Sequence, residues 1–275
     1  MINSDKRVVK DFGKEWKSYN QNKLNSKELN ELFNNYFDIF PFDLIDKNSE
    51  GFDMGCGSGR WAIFIAPKVK VLNCIEPSED AIKEAKLNLK KFKNCIFENK
   101  DVMSSSLKNG SQDFGYALGV LHHMPDTALG LKNCVKKLKK GAPFLLYLYY
   151  KFDNKPGWYK TIWKISDIFR KFISKMPFKI KLYLTKSIAL LIYYPIAKTS
   201  FLLEKFGFNV DNIPLSSYRK TSLYTMSTDS LDRFGTRLEK RFTKYEIIEM
   251  MRSCGLTDIK FSEKAPYWVA VGIKN

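Results

Sequence analysis

The sequence contains two histidines, and they are adjacent, at His122 and His123. Its five cysteines (Cys56, Cys74, Cys95, Cys134, Cys254) are scattered, with no C-x-x-C pair and no histidine at ligand spacing. This argues against a structural zinc site and a disulfide framework, and no metal is expected. No closely spaced cysteine triplet exists to hold the iron–sulfur cluster of radical chemistry. Long apolar runs are also missing. Residues 144–150 and 187–197 are too short to span a bilayer, and Pro195 interrupts the second. The opening residues 1–7 are polar and lack the apolar core of a signal peptide. A cytoplasmic, non-integral protein is therefore expected.

Acidic residues are in deficit: 46 Lys and Arg face 29 Asp and Glu, a net charge of +17. Nearly all of the excess is lysine, which can reflect base composition, so its distribution says more than its total. Residues 151–206 hold twelve Lys/Arg against Asp153, Asp167 and Glu204. That surplus predicts a local face for something anionic: phosphate, a membrane surface or nucleic acid.

What is present is an alternation of strand and helix signals. Residues 6–40 read as one or two helices, closed by Pro41. A strand over 51–54 runs into a glycine loop and a helix over 60–66. Further strands are expected over 69–75, 95–98, 113–118 and 144–150, with helices from Ser78 to about 92 and over 127–139 between them. Residues 151–242 break the alternation with a helical, basic and aromatic stretch. A helix over 244–253, capped by Thr243, and strands over 258–262 and 267–273 complete the chain. The expected organisation is a helical lid (1–45), an α/β core (46–150 and 243–275) and a cap (151–242).

The loop reads Asp53-Met-Gly55-Cys56-Gly57-Ser-Gly59. A strand, a glycine-rich turn and a helix together present backbone N–H groups to a negative ligand group. A dinucleotide fingerprint starting at Gly55 would want a glycine at position 60, where Arg60 stands. The D-x-G-x-G-x-G spacing instead resembles motif I of class I S-adenosylmethionine-dependent methyltransferases. Residues 113–126, with Leu118 and then Gly119-Val-Leu-His122-His123, resemble motif IV of the small-molecule branch, similar to bacterial ubiquinone/menaquinone-methylase-like enzymes.

The resemblance implies a Rossmann-like seven-stranded sheet with a final antiparallel strand, preceded by N-terminal helices and interrupted by a helical cap. It implies S-adenosylmethionine as cofactor and S-adenosylhomocysteine as product. Gly55, Cys56, Gly57 and Gly59 would wrap the methionyl part, and Asp53 would help hold its amino group. Glu76, followed by Pro77, would accept the ribose hydroxyls, with Asp101 and Val102 at the adenine. Trp16 and Tyr19 are candidate lid contacts over the cofactor. His123, and less so His122, is the candidate general base, since imidazole titrates near neutral pH.

For the acceptor, Arg219, Arg233 and Arg237 could clamp a carboxylate or phosphate or form ordinary surface ion pairs, with Tyr218 and Trp158 as aromatic neighbours. The (N/D)-P-P-(Y/F) tetrapeptide of base N-methylation is absent; residues 117–120 read Ala-Leu-Gly-Val. The expected substrate is a small-molecule, sugar or lipid-linked acceptor methylated on O or N, or on C. Nucleic acid is disfavoured as a partner. Peripheral membrane contact through the basic cap is a further expectation. The alternatives are an RNA or protein methyltransferase and a non-catalytic subunit that keeps the fold.

Overall fold

The computed structural model describes residues 3–21 and 24–275. Met1, Ile2, Asn22 and Lys23 lie outside the described residues, and with them parts of the polar opening and of the expected lid. The chain divides into two units, 1–21 with 31–150 and 238–275, and 22–30 with 151–237. Residues 238–242 thus count with the first unit, not with the expected cap.

The first unit is built on one seven-stranded sheet. Its strands are β1 (Glu50–Met54), β2 (Val71–Ile75), β3 (Cys95–Glu98), β4 (Phe114–Leu118), β5 (Pro143–Tyr147), β6 (Leu256–Phe261) and β7 (Val269–Lys274). They lie in the order β3-β2-β1-β4-β5-β7-β6. The first five pair in parallel, and β7 runs antiparallel to both β5 and β6. Parallel strands covered on both faces read as continuous apolar runs, as Phe114–Leu118 does here with every residue buried.

Around the sheet lie α1 (Lys6–Ser18), the end of α2 (Ser26–Phe37), α3 (Ala62–Ile65), α4 (Glu79–Asn88), α5 (Thr127–Lys137) and α10, described below. Asp5, Ser78 and Asp126 cap α1, α4 and α5 by accepting backbone N–H bonds. The helix expected over 60–66 is only one turn, because Pro67 ends it and a 3₁₀ turn follows.

At the centre, β1 and β4 pair with Gly51 opposite Phe114 and Phe52 opposite Gly115. Each phenyl ring covers the glycine of the other strand. A Cβ on Gly115 would lie 2.3 Å from the Phe52 ring, and one on Gly51 2.3 Å from the Phe114 ring. Gly115→Ala is expected to cost at least ~1 kcal/mol of stability by overpacking this reciprocal pair, read as a lowered urea midpoint with unchanged slope. An unchanged midpoint would show that the rings have room to shift.

The second unit is helical: α6 (Gly157–Ile173), α7 (Phe178–Ile188), α8 (Tyr194–Lys205) and α9 (Leu223–Gly235). A π-helical turn, Ala189–Tyr193, joins α7 to α8 in one continuous rod. Its core is small: Ile173, Ala189, Tyr193, Ala197, Met226 and Phe234. The last helix of the chain, α10 (Lys244–Ser253), belongs to the first unit and carries a complete capping box between Thr243 and Glu246.

Candidate active site

The glycine loop follows β1 directly. Gly55, Gly57 and Gly59 have φ of +78°, +54° and +78°. These are left-handed conformations that side-chain-bearing residues adopt only at a cost. Gly55 N and Cys56 N donate to Ile75 O at the end of β2, which fixes the loop's start against the neighbouring strand. Cys56 is buried in the core beneath the loop. Its side chain packs among apolar neighbours there.

Two carboxylates at adjacent strand ends flank this loop. Asp53, in β1, is buried, and burial pushes its carboxyl up to about 8 against the pull of the Tyr116 hydroxyl. Glu76, just past β2, is also buried and is pushed up to about 7. Its Oε2 accepts from Gly57 N at 3.0 Å and its Oε1 from Ser78 N at 2.9 Å. Glu76 therefore ties the glycine loop to the start of α4. Each of its oxygens keeps a second lone pair for a hydroxyl donor. Pro77 sets the turn between carboxylate and cap. At Gly119 (φ +80°), a Cβ would meet nothing within 4 Å. That open space follows Leu118, which is buried at the end of β4.

The helix α1 lies over this end of the sheet. The Trp16 indole would fall 2.8 Å from a Cβ on Gly57, so it packs on the loop itself. Gly13 lets α1 approach α4: a Cβ there would lie 2.3 Å from Ser78 Oγ. Tyr19 is buried at the helix end. Asp101 is committed locally, its Oδ1 accepting from Met103 N, Ser104 N and Ser104 Oγ at 2.7–3.0 Å. Ser4 Oγ donates to its other oxygen at 3.2 Å. The bonds from Met103 and Ser104 close a local turn, and Val102 beside Asp101 packs in the core.

Beyond β4 and β5, three segments of the first unit meet. His122 and His123 form a 3₁₀ turn after β4. Tyr149 and Tyr150 follow β5, and residues 238–242 return alongside them. Phe242 N donates to Tyr149 O, and Lys240 N donates to His122 O. His123 Nδ1 lies 2.7 Å from Leu238 O. A carbonyl only accepts, so Nδ1 carries the proton and the lone pair of the neutral ring sits on Nε2. Phe12 of α1 packs against the same ring at 4.9 Å.

His122 is fully buried and stacks on Tyr149 at 3.9 Å between ring centres. Neither of its ring nitrogens has a hydrogen-bond partner among the described residues. Burial, with His123 and Arg241 nearby, holds it well below the ordinary histidine range, so it is neutral. Arg241 lies 5.0 Å over the Tyr149 ring, and its Nε donates to Glu239 Oε1 at 2.7 Å. Burial opposes the Arg241 charge, and Glu239 outweighs it. Tyr149, Glu239 and Arg241 have no motif signal in the sequence. Tyr149 reaches His122 from the end of β5, the neighbour of β4, and Glu239 and Arg241 arrive with the return segment.

Of the two alternatives open for the cap arginines, the ion pair is the one visible for Arg219 and Arg233. Arg219 is held by Glu204 at 2.7 Å and by Ser216 O at 2.9 Å. Arg233 lies near Asp167 at 3.8 Å and donates to Ser166 Oγ at 3.2 Å. Tyr218 packs on Tyr193 at 5.4 Å, and Trp158 is exposed. The Arg237 carbonyl accepts from Arg170. Arg219 and Arg233 therefore brace the second unit through ion pairs within it. Among the described residues no cluster of three His, Cys, Asp or Glu could hold a metal ion.

Residues 52–141 match a protein-family model described as "Methyltransferase domain". That span holds the glycine loop, both buried carboxylates and the histidine turn. Residues 52–141 are thus similar to a methyltransferase domain.

A "Ubiquinone biosynthesis O-methyltransferase" of Nitrosomonas europaea is 27% identical over 146 residues, covering 51% of this chain and 61% of the relative. A "Probable cobalt-precorrin-6B C(15)-methyltransferase (decarboxylating)" of Methanococcus maripaludis is 35% identical over 103 residues, covering 32% of this chain and 57% of its own length. The matches thus span about three fifths of each relative. A Thermotoga maritima structure described as "SAM-dependent methyltransferase, possible histamine N-methyltransferase" superposes with a TM-score of 0.53 at 14% identity. It covers 98% of this chain and 100% of that one. At that identity it supports the fold alone.

The residues present fit the domain's cofactor. Two buried carboxylates at neighbouring strand ends, each pushed up by burial, are suited to a ligand that brings a cation and hydroxyl donors. Gly119 adds open backbone beside them.

Proposed function

We propose that the protein methylates an oxygen or nitrogen nucleophile of a small-molecule, sugar or lipid-linked acceptor. The observation that carries this reading is the buried histidine–tyrosine–arginine cluster beyond β4 and β5, next to a cofactor loop of methyltransferase type. S-adenosylmethionine, when bound, supplies an activated methyl group on its sulfonium.

The chain's own residues then have separable tasks. Asp53 and Glu76 hold the cofactor's amino group and ribose. The Trp16 face of α1 covers the glycine loop and excludes water. His123, fixed in the Nδ1–H tautomer by Leu238 O, offers Nε2 to take a proton from the acceptor hydroxyl or amine. His122 stays neutral and, stacked on Tyr149, orients that acceptor. One relative is named as an O-methyltransferase, which supports oxygen as the acceptor atom.

Calorimetry with S-adenosylmethionine and S-adenosylhomocysteine tests the first half of the reading, and absence of binding to both removes it. For the second half, His123→Gln is expected to lower the single-turnover rate of labelled-methyl transfer into extracted metabolites and lipids by about 10²-fold or more, with cofactor affinity unchanged. An unaltered rate would take the base role from His123.

A further inference from the structure

The helices of the second unit have an unusual polarity. Their inward faces bury Arg170, Lys181, Thr185 and Ser200 beside small residues such as Ala189 and Ala197. Lys181 is only 1% exposed, and its Nζ donates to Gly235 O at 2.9 Å. The outward faces are apolar. On α6, Trp158, Ile162, Ile165, Phe169 and Phe172 follow one another at helical steps of four and three, forming one stripe. All are about half exposed or more, and Phe172 is 66% exposed.

The rod formed by α7 and α8 repeats the pattern. Ile180, Tyr183, Leu191, Tyr194, Leu202 and Phe206 recur along one side of it or just past its end. Tyr183 is 73% and Leu191 71% exposed. Isolated exposed apolar residues are ordinary, but two such stripes in one small unit mark a binding surface.

Lysines decide what binds there. Lys164, Lys171, Lys175, Lys179, Lys186 and Lys205 are exposed around the stripes. Residues 151–206 carry twelve basic side chains against three acidic ones, and even without the inward Arg170, Lys181 and Lys198 the surplus stays positive. A second copy of this chain would bring two such positive faces together, and like charges repel. Trp158, Tyr183 and Tyr194 are the amphipathic aromatics that favour a lipid–water boundary. A bilayer with anionic headgroups offers both an apolar interior and negative charge.

We propose that the outer faces of α6, α7 and α8 dock this protein on an anionic phospholipid surface. The proposal is independent of which acceptor is methylated. The helix Phe178–Lys205 is also long and apolar enough to cross a membrane by length and composition, although the 187–197 run alone is too short. Its partners favour lying on the surface. Lys198, well inside it, donates to the Arg219 and Thr221 carbonyls, and Thr185 and Lys181 are buried on its inner side.

Vesicle flotation of the full chain tests the proposal, with phosphatidylcholine vesicles carrying or lacking phosphatidylglycerol. Flotation with the anionic vesicles is expected, weakening more than tenfold when salt is raised from about 0.1 M to about 1 M. Phe169→Glu with Phe172→Glu should abolish it while the circular dichroism spectrum stays unchanged, since both side chains are exposed. Lys164→Glu, Lys175→Glu and Lys179→Glu together should reduce the preference for anionic lipid more than tenfold. Bromine-labelled acyl chains should quench tryptophan fluorescence, and Trp158→Phe should remove most of that quenching.

No flotation with anionic vesicles would overturn the proposal. So would binding that survives the Phe169 and Phe172 replacements. A dimer that the same two replacements dissociate, with no vesicle binding, would assign the face to a second copy. Retention of the membrane-bound protein after alkaline carbonate washing would replace surface docking with insertion.

Discussion

Glu76→Ala is expected to weaken S-adenosylmethionine binding by about 100-fold, because one carboxylate does two things at this site. Its oxygens accept from Gly57 N and Ser78 N, so removing it leaves two buried donors unpaired and loosens the turn that presents the glycine loop. It would also remove the acceptor proposed for the ribose hydroxyls. A charge-assisted hydrogen bond to a buried group is worth ~1.5–3 kcal/mol, and 1.4 kcal/mol is tenfold in affinity. Glu76→Gln separates the two effects: the amide oxygen can still accept from one backbone N–H but lacks the charge. Calorimetric titration should rank wild type above Gln above Ala. Equal affinity in all three would move the ribose contact elsewhere.

The second large effect is on pH dependence. Without the cofactor, burial pushes Asp53 up to about 8 and Glu76 up to about 7, against ordinary values of 3.8 and 4.5. A carboxyl that holds its proton more tightly when folded stabilises the fold below its unfolded value. That contribution is lost as pH rises through the folded value. The empty protein should therefore lose stability steadily from about pH 4 to about pH 8. A cofactor with a cationic amino group favours both carboxylates in their charged form, so it should offset the loss. The rise in melting temperature on adding S-adenosylhomocysteine should be larger near pH 7.5 than near pH 5.5. Near pH 7 binding should release protons, visible as heat that depends on the buffer's ionisation enthalpy. Asp53→Asn should flatten the melting profile of the empty protein. A ligand-induced shift that stays constant with pH would contradict the assignment of both acids.

These two expectations rest on residues the sequence already marked, and the reason is local. Asp53, Gly55, Gly57, Gly59 and Glu76 act through backbone conformation and position at strand ends. Spacing along the chain encodes both. The strands were readable for the same reason: a parallel strand buried on both faces announces itself as an apolar run. Asp101 shows the limit, because an acid after a strand looks the same whether it meets a ligand or closes its own turn on Ser104.

The acceptor side was less readable because it is made by distant segments. Tyr149, Glu239 and Arg241 have no shared spacing: strand pairing brings Tyr149 to His122, and only the return of the chain at 238–242 brings Glu239 and Arg241 there. Arg219 and Arg233 were attractive as isolated cations, and their partners Glu204, Ser166 and Asp167 lie on other helices. Amphipathic periodicity showed that the second unit is helical. It could not show which side of each helix faces out, since the buried face also carries Lys181 and Arg170.

The backbone bridge between Tyr150 and Phe242 has a consequence of another kind. It fastens the exit and re-entry points of the long excursion side by side at the end of β5. Whatever lies between them closes a loop whose ends are already fixed, and loop length changes that closure cost only slowly. Exchange of the excursion is therefore expected to cost the sheet unit little, provided that residues 22–30, which group with it, change too. Residues 238–242, which stay behind with the sheet, would carry Glu239 and Arg241 through every such exchange.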